Sequence, residues 1–406
     1  MQDNESTEPQ RLPLAGIRVI EFCHTIMGPS CGLALADLGA EVIKVEPPEG
    51  DRTRRLGGFG LGFFSYFNRN KRSLAIDLKS AEGRSIVERL VQHADVLIEN
   101  FAPATLQNMG YGYDAMSKVN PRLIYCSLKG FLAGPYEKRP ALDEIVQYMG
   151  GLAYMTGPPG RPLRAGASIV DILGGTFGAL AILAALEERH RTGRGQLVKS
   201  ALFESTAYLV AQHMAAEKMA HEPVPPMPAR RSSWCIYETF SSRDGQLLFI
   251  GLTTNNIWRR FCQAFGLDAL LGDPELQTNE QRVLARPRIV PLVSEIVAQH
   301  DIADMMKKLE ALDVPFAPVV KPGELFDDPH LNSGTRMLAT QMLDGQRAKL
   351  PGIPVEMGSH VLGLRHDPPV AGEHSRDVLH EIGLSDDEID ALIGAGKVSV
   401  GTRAPR

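Results

Sequence analysis

Segments rich in branched apolar residues alternate with helix-like segments over the first two hundred residues of the chain, and this alternation constrains the fold more than any other feature. It is typical of βαβ units, whose parallel strands are buried on both faces by helices. Ligands of such sheets bind at the carboxyl ends of the strands. We therefore predict an α/β fold, with strands at residues 17–22, 41–45, 74–78, 95–101 and 122–130.

The length of 406 residues is sufficient for two domains. A proline-rich stretch at residues 221–232 marks a linker, and the second unit that follows has a strand at residues 247–252 and amphipathic helices. Farther on, Ser385 and Glu388 have the spacing of a capping box. The predicted division is a disordered leader at residues 1–12, a large domain at 13–220, a linker with a small α+β domain at 221–330, and a C-terminal part at 331–406.

Composition disfavours several classes of protein. No apolar run approaches the ~18 residues of a membrane span, and the N-terminus is polar and acidic where a secretory signal is basic and then apolar. The formal net charge of −5 gives no general attraction to nucleic acid. The five cysteines lack a C-x-x-C pair and the histidines lack ligand spacing. We expect a cytoplasmic protein without a metal site, and without a membrane or nucleic-acid partner.

One acidic residue, Asp171, stands between an apolar run and the glycines Gly174 and Gly175, just ahead of a helix-like segment. An acid at this place is a favoured N-cap, because its carboxylate accepts the first free backbone N–H groups. The alternative is a nucleophile held by the same N–H groups, facing a cleft that the two glycines leave open. The G-x-S-x-G elbow of serine hydrolases is absent. The residues alone leave both interpretations open.

The glycines of residues 56–64 follow the basic residues 51–55 rather than a strand, so they match a dinucleotide-binding fingerprint poorly. We interpret this segment as a surface or lid loop. The first strand-to-helix turn lies at residues 22–32, where Gly28 permits a tight bend and backbone N–H groups could approach a phosphate or thioester. The basic residues at 51–55 and 67–73 could bind phosphate, although such clusters are more often solvated.

Six segments, in order along the chain, carry a further signal. They are LAGIRVIEF near the start, residues 36–51, 67–84, 94–110 and 120–136, and the segment around Asp171 with the helix that follows it. Together they resemble the class III CoA-transferases, also called the CaiB/BaiF family, which include formyl-CoA:oxalate and carnitine CoA-transferases and the related alpha-methylacyl-CoA racemases. The resemblance covers most of the chain, and the ordered set is highly specific although each piece alone is not.

The resemblance implies a Rossmann-like large domain whose parallel sheet is completed by the C-terminal tail, with the smaller domain inserted between its two parts. It also implies a homodimer in which two chains interlock. The expected substrates are acyl-CoA thioesters and small carboxylic acids. Coenzyme A then acts as a substrate, and no tightly bound cofactor is expected.

The resemblance also assigns residues by position. Asp171 corresponds to the family's catalytic aspartate, and we expect the N–H groups near Gly174 and Gly175 to stabilise an oxyanion beside it. The residues expected to lie at or near the CoA site are Thr25, Lys71, Arg72, Asn100, Phe101 and Met109.

Two expected substrate-binding positions depart from the family's branches. Ile26 and Leu142 stand where the oxalate-transferring branch has Gln and Tyr, so a different acyl group is expected. Leu142 also stands where the racemase branch has a histidine ahead of Asp143, and a leucine cannot relay a proton.

The predicted function is transfer of CoA from an acyl-CoA donor to a free acid, through an acyl-aspartyl anhydride and an aspartyl-CoA thioester on Asp171. A short dicarboxylyl-CoA such as succinyl-CoA is the preferred donor, because Arg164 and Arg230 could clamp a second carboxylate. Interdomain ion pairs are the alternative for these arginines. For the whole chain, the alternatives are a 2-methylacyl-CoA racemase and a catalytically silent CoA-binding protein.

Overall fold

The computed structural model describes residues 11–230 and 232–403 of the chain. The predicted leader at 1–12 lies outside these residues, except for its last two positions. The described residues form two compact units, one built from residues up to Pro228 together with those from Pro329 onward, and the other from Ala229–Asp328. The sequence places domain boundaries after residues 220 and 330. That these parts fold independently stays a prediction.

Strands and helices alternate through the first unit. In chain order, the strands are β1 (Arg18–Phe22), β2 (Glu41–Glu46), β3 (Lys71–Ile76), β4 (Val96–Glu99), β5 (Ile124–Lys129), β6 (Leu197–Ala201), β7 (Ile236–Ser241), β8 (Leu247–Leu252), β9 (Phe316–Pro318), β10 (Met337–Gln341), β11 (Arg347–Pro351) and β12 (Val398–Ser399). The α-helices are α1 (Met27–Asp37), α2 (Phe63–Phe67), α3 (Ala81–Gln92), α4 (Thr105–Asn108), α5 (Tyr113–Val119), α6 (Asp143–Met149), α7 (Leu152–Thr156), α8 (Ile169–Thr192), α9 (Leu202–Ala220), α10 (Asn255–Ala264), α11 (Asp268–Gly272), α12 (Asn279–Leu284), α13 (Arg286–Ala298), α14 (Ile302–Ala311), α15 (Ser375–Glu381) and α16 (Asp386–Gly394).

The main sheet of the first unit has the strand order β12, β3, β2, β1, β4, β5, β6. Strands β1 to β6 are parallel, in the order of Rossmann folds, and β12 pairs antiparallel with β3 through Val398 and Ile76. The predicted α/β fold and its completion by the C-terminal part are confirmed. Strand β3 begins three residues earlier than predicted, because Lys71 and Arg72 already pair with β2.

The sheet separates two hydrophobic cores. On one face, strand residues such as Ile20 and Ile43 pack with apolar residues of α3, α5, α15 and α16. On the other face, residues such as Val19 and Ile98 pack with α1, α6 and α8. Helices therefore cover both faces of the sheet, as expected for parallel strands.

Two glycines allow helix α8 to lie close against α1. A Cβ atom on Gly174 would come within 2.6 Å of Met27 Cε, and one on Gly175 would come within 2.1 Å of Ser30 Oγ and 2.4 Å of the Met27 carbonyl oxygen. Protein interiors are close-packed, so no side chain fits at Gly175 without moving the backbone. The expectation that these glycines leave a cleft open is therefore wrong, because α1 fills the space.

The C-terminal part of the first unit is anchored by Asn70, which has a left-handed backbone conformation with φ of 60°. Its side-chain oxygen accepts hydrogen bonds from the backbone N–H groups of Arg365 and His366, at 2.6 and 3.1 Å. Its Nδ2 donates to Asp37 Oδ1 at 2.8 Å. The returning chain is thereby fixed beside the start of β3.

The second unit, Ala229–Asp328, contains an antiparallel sheet in the order β7, β8, β9 together with helices α10 to α14. Its core includes Ile250, Trp258 and Phe261. Helix α10 begins after Thr254, whose hydroxyl accepts a hydrogen bond from the Ile257 N–H. This unit has the α+β character that the sequence predicts.

Helix α8 is long and apolar enough to span a bilayer by length and composition, which the inspection of apolar runs overlooked. Among the helices of residues 11–230 and 232–403, only α8 is long and apolar enough to pass this test. The core helix of a soluble protein passes the same test, and α8 buries part of its surface against α1 and the sheet. Its apolar character is thus weak evidence for a membrane.

Replacing Gly175 by alanine should destabilise the protein by about 1 to 3 kcal/mol, because the added methyl group overpacks the contact between α8 and α1. At an unconstrained helical position the same change stabilises a protein by up to ~1 kcal/mol, so the sign of the effect is informative. Denaturant unfolding measures it. Gly394→Ala in α16 is the matched control, because nothing lies within 4 Å of a Cβ atom there. Equal effects of the two substitutions would contradict the packing argument.

Candidate active site

The loop after β1 and the loop after β4 are joined by hydrogen bonds at the carboxyl edge of the main sheet. The His24 N–H donates to Asn100 Oδ1 at 3.0 Å, and Asn100 Nδ2 donates to the His24 carbonyl oxygen at 2.9 Å. The His24 ring also meets the Phe101 ring edge-on, with centroids 5.5 Å apart. Since the strand order reverses between β1 and β4, Asn100 and Phe101 lie where open α/β sheets bind ligands.

Thr25 is held in the first of these loops by its backbone. It has a left-handed conformation with φ of 65°, which is uncommon for a residue other than glycine. Its N–H donates to Thr53 Oγ1 at 3.0 Å, and the Thr53 hydroxyl donates to Asp51 at 2.8 Å. Asp51 in turn forms an ion pair with the fully buried Lys44. The shape of the loop therefore depends on buried charge beneath it.

The two predicted substrate-contacting apolar residues have opposite surroundings. Ile26 is 2% exposed and packs with Leu33 and Phe67. Its side chain contacts protein and offers no open surface, which argues against direct contact with a substrate. Leu142 lies at the start of α6 and is 64% exposed.

Lys71 is enclosed in the protein interior. Its ammonium group donates to Glu21 Oε2 at 2.7 Å, the Pro29 carbonyl oxygen at 2.9 Å and Asn68 Oδ1 at 3.1 Å. These bonds use all three of its donors, so none is left for a phosphate. Burial lowers the pKa of Lys71, against the opposing effect of Glu21. The expectation that Lys71 contacts CoA is therefore dropped from the proposal below.

Arg72 belongs to a group of ion pairs at the amino edge of the sheet. It contacts Glu41, at the start of β2, at 2.5 Å and Glu381 at 2.8 Å. Arg18, at the start of β1, pairs with the same two acids. Asn100 follows β4 at the opposite edge. Arg72 is therefore dropped as a CoA contact, because it lies at the wrong end of the strands.

Two further predicted residues, Met109 and Arg230, belong to neither of the joined loops. Met109 packs into the core on the sheet face that α3 and α5 cover, whereas α8 covers the other face. Phe101 packs against that same core, so Met109 shares a core with one member of the joined loops, although it lies beyond α4 in the chain. Arg230 belongs to the second compact unit.

Asp171 is the third residue of α8 and is not its N-cap. The N-cap is Ser168, whose hydroxyl makes no capping hydrogen bond. A carboxylate from α6 takes this role: Asp143 Oδ2 accepts hydrogen bonds from the N–H groups of Val170 at 2.9 Å and Asp171 at 3.0 Å. The interpretation of Asp171 as the cap is wrong, because the helix begins two residues earlier, at Ile169, and the N–H groups of its first turn bind Asp143.

The carboxylate of Asp171 accepts no hydrogen bond from the residues that the structure describes. Burial raises the pKa of Asp171 to about 7, and the neighbouring carboxylates of Asp143 and Glu144 add to this rise. An acid that titrates near neutral pH is typical of a functional site. Although three acids meet here, no group of His, Cys, Asp and Glu side chains in the described part of the chain is arranged to hold a metal ion.

Arg164 lies beside the same acids. Its NH1 atom is 3.0 Å from Glu144 Oε1 and 3.7 Å from Asp143 Oδ1. Its guanidinium carbon lies 5.0 Å from the centroid of the Phe59 ring. Phe59 belongs to the glycine-rich segment that the sequence interprets as a lid loop, and it is 61% exposed. Arg164 thus connects this loop to the acids around Asp171.

The N–H groups of Gly174 and Gly175 lie beyond the first turn of α8. At such positions an N–H bonds to the carbonyl oxygen four residues earlier, so these donors are already used. The expected oxyanion hole at the two glycines is therefore not supported by their geometry. Their role in the structure is the close packing of α8 on α1.

Asp143 and Glu144 are the residues of this site that sequence reasoning overlooked. The sequence analysis named Asp143 only as the neighbour of Leu142. The available signal was a pair of acids at the start of a helical segment. Nothing in the sequence links them to Asp171, which is 28 residues farther on, because the packing of α6 against α8 makes that link.

Known proteins resemble this chain over most of its length. The family model of CoA-transferase family III matches residues 14–375. The succinate–glutarate CoA-transferase of Agrobacterium fabrum is 34% identical, over 94% of this chain and 98% of the relative. The succinyl-CoA:glutarate CoA-transferase of Mus musculus is 33% identical, over 95% and 90%. The formyl-CoA:oxalate CoA-transferase of Streptomyces avermitilis is 30% identical, over 95% and 99%.

A solved structure agrees with these relatives. The crystal structure of a CaiB/BaiF family protein from Brucella suis superposes with a TM-score of 0.83 at 33% identity, and the match covers 92% of this chain and 100% of that one. The family model, the relatives and this structure agree over almost the whole described chain. The chain therefore belongs to CoA-transferase family III and is a CoA-transferase.

Proposed function

We propose that this CoA-transferase moves coenzyme A from a short dicarboxylyl-CoA, such as succinyl-CoA, to a small free carboxylic acid, with Asp171 as the nucleophile. One observation carries the proposal: Asp171 is a carboxylate without a hydrogen-bond partner among the described residues, and its pKa is raised to about 7. The names of the relatives from Agrobacterium fabrum and Mus musculus, which include succinate or succinyl-CoA, support the choice of donor.

The reaction conserves the thioester and needs no external energy source. The Asp171 carboxylate attacks the donor thioester carbonyl, the C–S bond breaks, and CoA thiolate leaves an acyl-aspartyl anhydride. The thiolate then attacks the aspartyl carbonyl, releasing the donor acid as a carboxylate and forming an aspartyl-CoA thioester. The acceptor carboxylate repeats these two steps in reverse, which regenerates Asp171. Covalent catalysis of this kind divides one difficult exchange into easier steps.

The electrostatics of the site suit such a nucleophile. A carboxylate bound by backbone N–H groups has a low pKa and is correspondingly stabilised as an anion. Asp171 lacks these bonds and lies beside two other acids, so its negative charge is poorly stabilised. Attack on a thioester relieves this cost, since the charge moves to the departing thiolate. The anhydride also remains reactive enough to be attacked again, which an ester on serine would not be.

Thr25, Asn100 and Phe101 are the residues that we retain as CoA contacts. All three lie in the joined loops at the carboxyl ends of β1 and β4. The glycine-rich segment 56–62 is the proposed lid, because Phe59 contacts Arg164 and Leu61 is 75% exposed. Such a lid would exclude water, which otherwise hydrolyses the anhydride. Coenzyme A is bound as a substrate, with no tightly held cofactor.

Arg164 is the proposed site for the second carboxylate of a dicarboxylic substrate. Its guanidinium group lies beside Asp143, whose other oxygen bonds to the Asp171 N–H, and is therefore close to the proposed nucleophile. A planar guanidinium can bind a carboxylate through two parallel hydrogen bonds. Arg230 is kept as a second candidate from the sequence.

We further propose a cytoplasmic homodimer that has no membrane or nucleic-acid partner. Large apolar side chains on and beside α6, α8 and α9 are exposed, which supports burial against another copy of the chain. The most exposed of them include Leu142, Leu180, Tyr208, Met214 and Met219.

Asp171→Asn should abolish transfer, lowering kcat by several orders of magnitude, because an amide cannot form the anhydride. It should not reduce stability. The fold raises the pKa of Asp171, so the wild-type protein loses stability as pH rises through about 7, whereas asparagine stays neutral. The variant should therefore melt no lower than the wild type at pH 8. Acceptor-dependent formation of a new acyl-CoA and thermal unfolding are the two measurements.

The exposed acid Glu187, on the same helix, provides the matched control, since Glu187→Gln should retain full transfer. Wild-type enzyme mixed with donor acyl-CoA should also yield a hydroxylamine-trapped adduct in the peptide that contains Asp171. Full activity in a folded Asp171→Asn protein would falsify the proposed mechanism.

Arg164→Gln should raise the KM for dicarboxylic acids by about 10- to 100-fold, the effect of losing a charge-assisted hydrogen bond. The KM for monocarboxylic acids of the same length should change much less. Steady-state kinetics with matched pairs of acids tests this. Arg161→Gln is the control, because Arg161 is exposed. An equal loss with both kinds of acid would assign Arg164 a role in structure rather than in selectivity.

Multi-angle light scattering should give twice the chain mass at micromolar concentration. Two substitutions on the exposed apolar surface, Leu180→Glu and Tyr208→Glu, should weaken the dimer because they would bury charge in its interface. Glu187→Gln leaves the apolar surface intact and should remain dimeric. A wild-type protein that is monomeric and active would contradict the proposed assembly.

A further inference from the structure

Two carboxylates lie at the first turn of α8, Asp171 of the helix itself and Asp143 of α6, but the backbone N–H groups bind only that of Asp143. A helix N-terminus presents backbone N–H groups without intrahelical partners, and an acid in the first turn commonly accepts hydrogen bonds from them. In α8 the N–H groups of Val170 and Asp171 are both taken by Asp143 Oδ2, at 2.9 and 3.0 Å. Asp171 sits in that first turn without a hydrogen-bond partner among the described residues.

We propose that Asp143 is a positioning residue for the nucleophile: by capping α8 in place of Asp171, it keeps the Asp171 carboxylate free to attack and places negative charge beside it. This inference rests on the proposed function of Asp171. It assigns Asp143 a role in the reaction that is exerted through Asp171.

Asp143 is held firmly enough to perform this role. It is 4% exposed, and its Oδ1 accepts a hydrogen bond from Gln147 Nε2 at 2.5 Å. Gln147 is itself fixed, because its Oε1 accepts the Ala165 N–H at 2.9 Å. Both oxygens of Asp143 are therefore occupied by donors on defined elements. A carboxylate held by three donors in this way cannot rotate to bind Asp171.

The charges around Asp171 support the inference. Asp143 and Glu144 face it from α6, and Arg164, in the segment before α8, pairs with Glu144. Burial, Asp143 and then Glu144 raise the pKa of Asp171, in that order of size. The other titratable groups on the elements packed on α8 are not among the causes of this rise. They are Tyr148 on α6, Cys31 and Asp37 on α1, Tyr125, Cys126 and Lys129 on β5, Lys199 on β6, and Glu204, Tyr208, His213, Glu217 and Lys218 on α9.

A capped nucleophile would behave differently. If Asp171 accepted the Val170 N–H and its own N–H, its charge would be stabilised and its pKa would fall well below the usual value. Its lone pairs would also point at the helix rather than at a thioester. Asp143 prevents both outcomes with one oxygen. With two acids, Asp143 caps the helix and Asp171 is left to attack the thioester.

Asp143→Asn tests the inference, because an asparagine can still cap a helix but carries no charge. The pKa of Asp171 is measured directly from the pH dependence of carbodiimide labelling of its peptide, since only the protonated carboxyl reacts. The midpoint should lie near 7 in the wild type and about one pH unit lower in the variant. The midpoint pH on the acid side of the kcat/KM profile for transfer should fall by the same amount. Glu187→Gln is the control and should leave both midpoints in place.

A second variant covers the chance that Asp143→Asn does not fold, since its amide N–H would face the N–H of Gln147. In Asp143→Asn/Gln147→Glu, the new glutamate accepts that amide N–H and the Ala165 N–H, which restores the hydrogen bonds and moves the charge away from Asp171. The midpoint should then lie between those of the wild type and the single variant. An unchanged midpoint in whichever variants fold overturns the inference.

The two proposals fail in different ways. If the labelling midpoint falls as expected but no donor supports transfer, the role proposed for Asp171 fails and its electrostatic control by Asp143 stands. If transfer requires Asp171 but the midpoint does not move, the inference about Asp143 fails alone.

Discussion

The close contact between α8 and α1 is the constraint on which the geometry of the site depends. Helix α1 follows directly from the loop after β1, and α8 carries Asp171 in its first turn. Because Gly174 and Gly175 let the two helices touch, the carboxylate is fixed relative to that loop and, through it, to Asn100. A residue with a side chain at Gly175 would displace α8 and Asp171 together. The glycines therefore fix the position of Asp171 by packing.

Buried charge supports the same region from below. Lys44 and Lys71 are fully buried and pair with Glu21 and Asp51, and Lys44 also donates to the Cys23 carbonyl oxygen at 2.6 Å. Such groups are tolerated only when each charge is compensated, and removal of one partner is costly. This network explains why Lys71 is not available to phosphate, because its donors support the first loop. The other basic residues of the 67–73 segment are paired elsewhere, Arg69 with Asp37 and Arg72 with Glu41 and Glu381.

The sequence could predict features that depend on neighbours along the chain. The alternation of strands and helices and the capping box of Ser385 with Glu388 are of this kind, and the structure confirms them. Features made by tertiary packing escaped prediction. The cap on α8 comes from Asp143 in another helix, and the perturbed pKa of Asp171 arises from burial and the same neighbours. The sequence alone does not distinguish a solvated lysine from a buried one.

The short strand β12 has a consequence for how the protein is made. It closes the β3 edge of the sheet, and beside it Lys397 pairs with Asp77, 320 positions earlier in the chain. At synthesis rates of about 5 to 20 residues per second, the ribosome releases β3 roughly 15 to 60 seconds before its edge partner. The second unit, with a core of its own, emerges during this interval. The nascent chain therefore carries an unpaired strand edge, and a corresponding risk of aggregation, that the finished enzyme does not have.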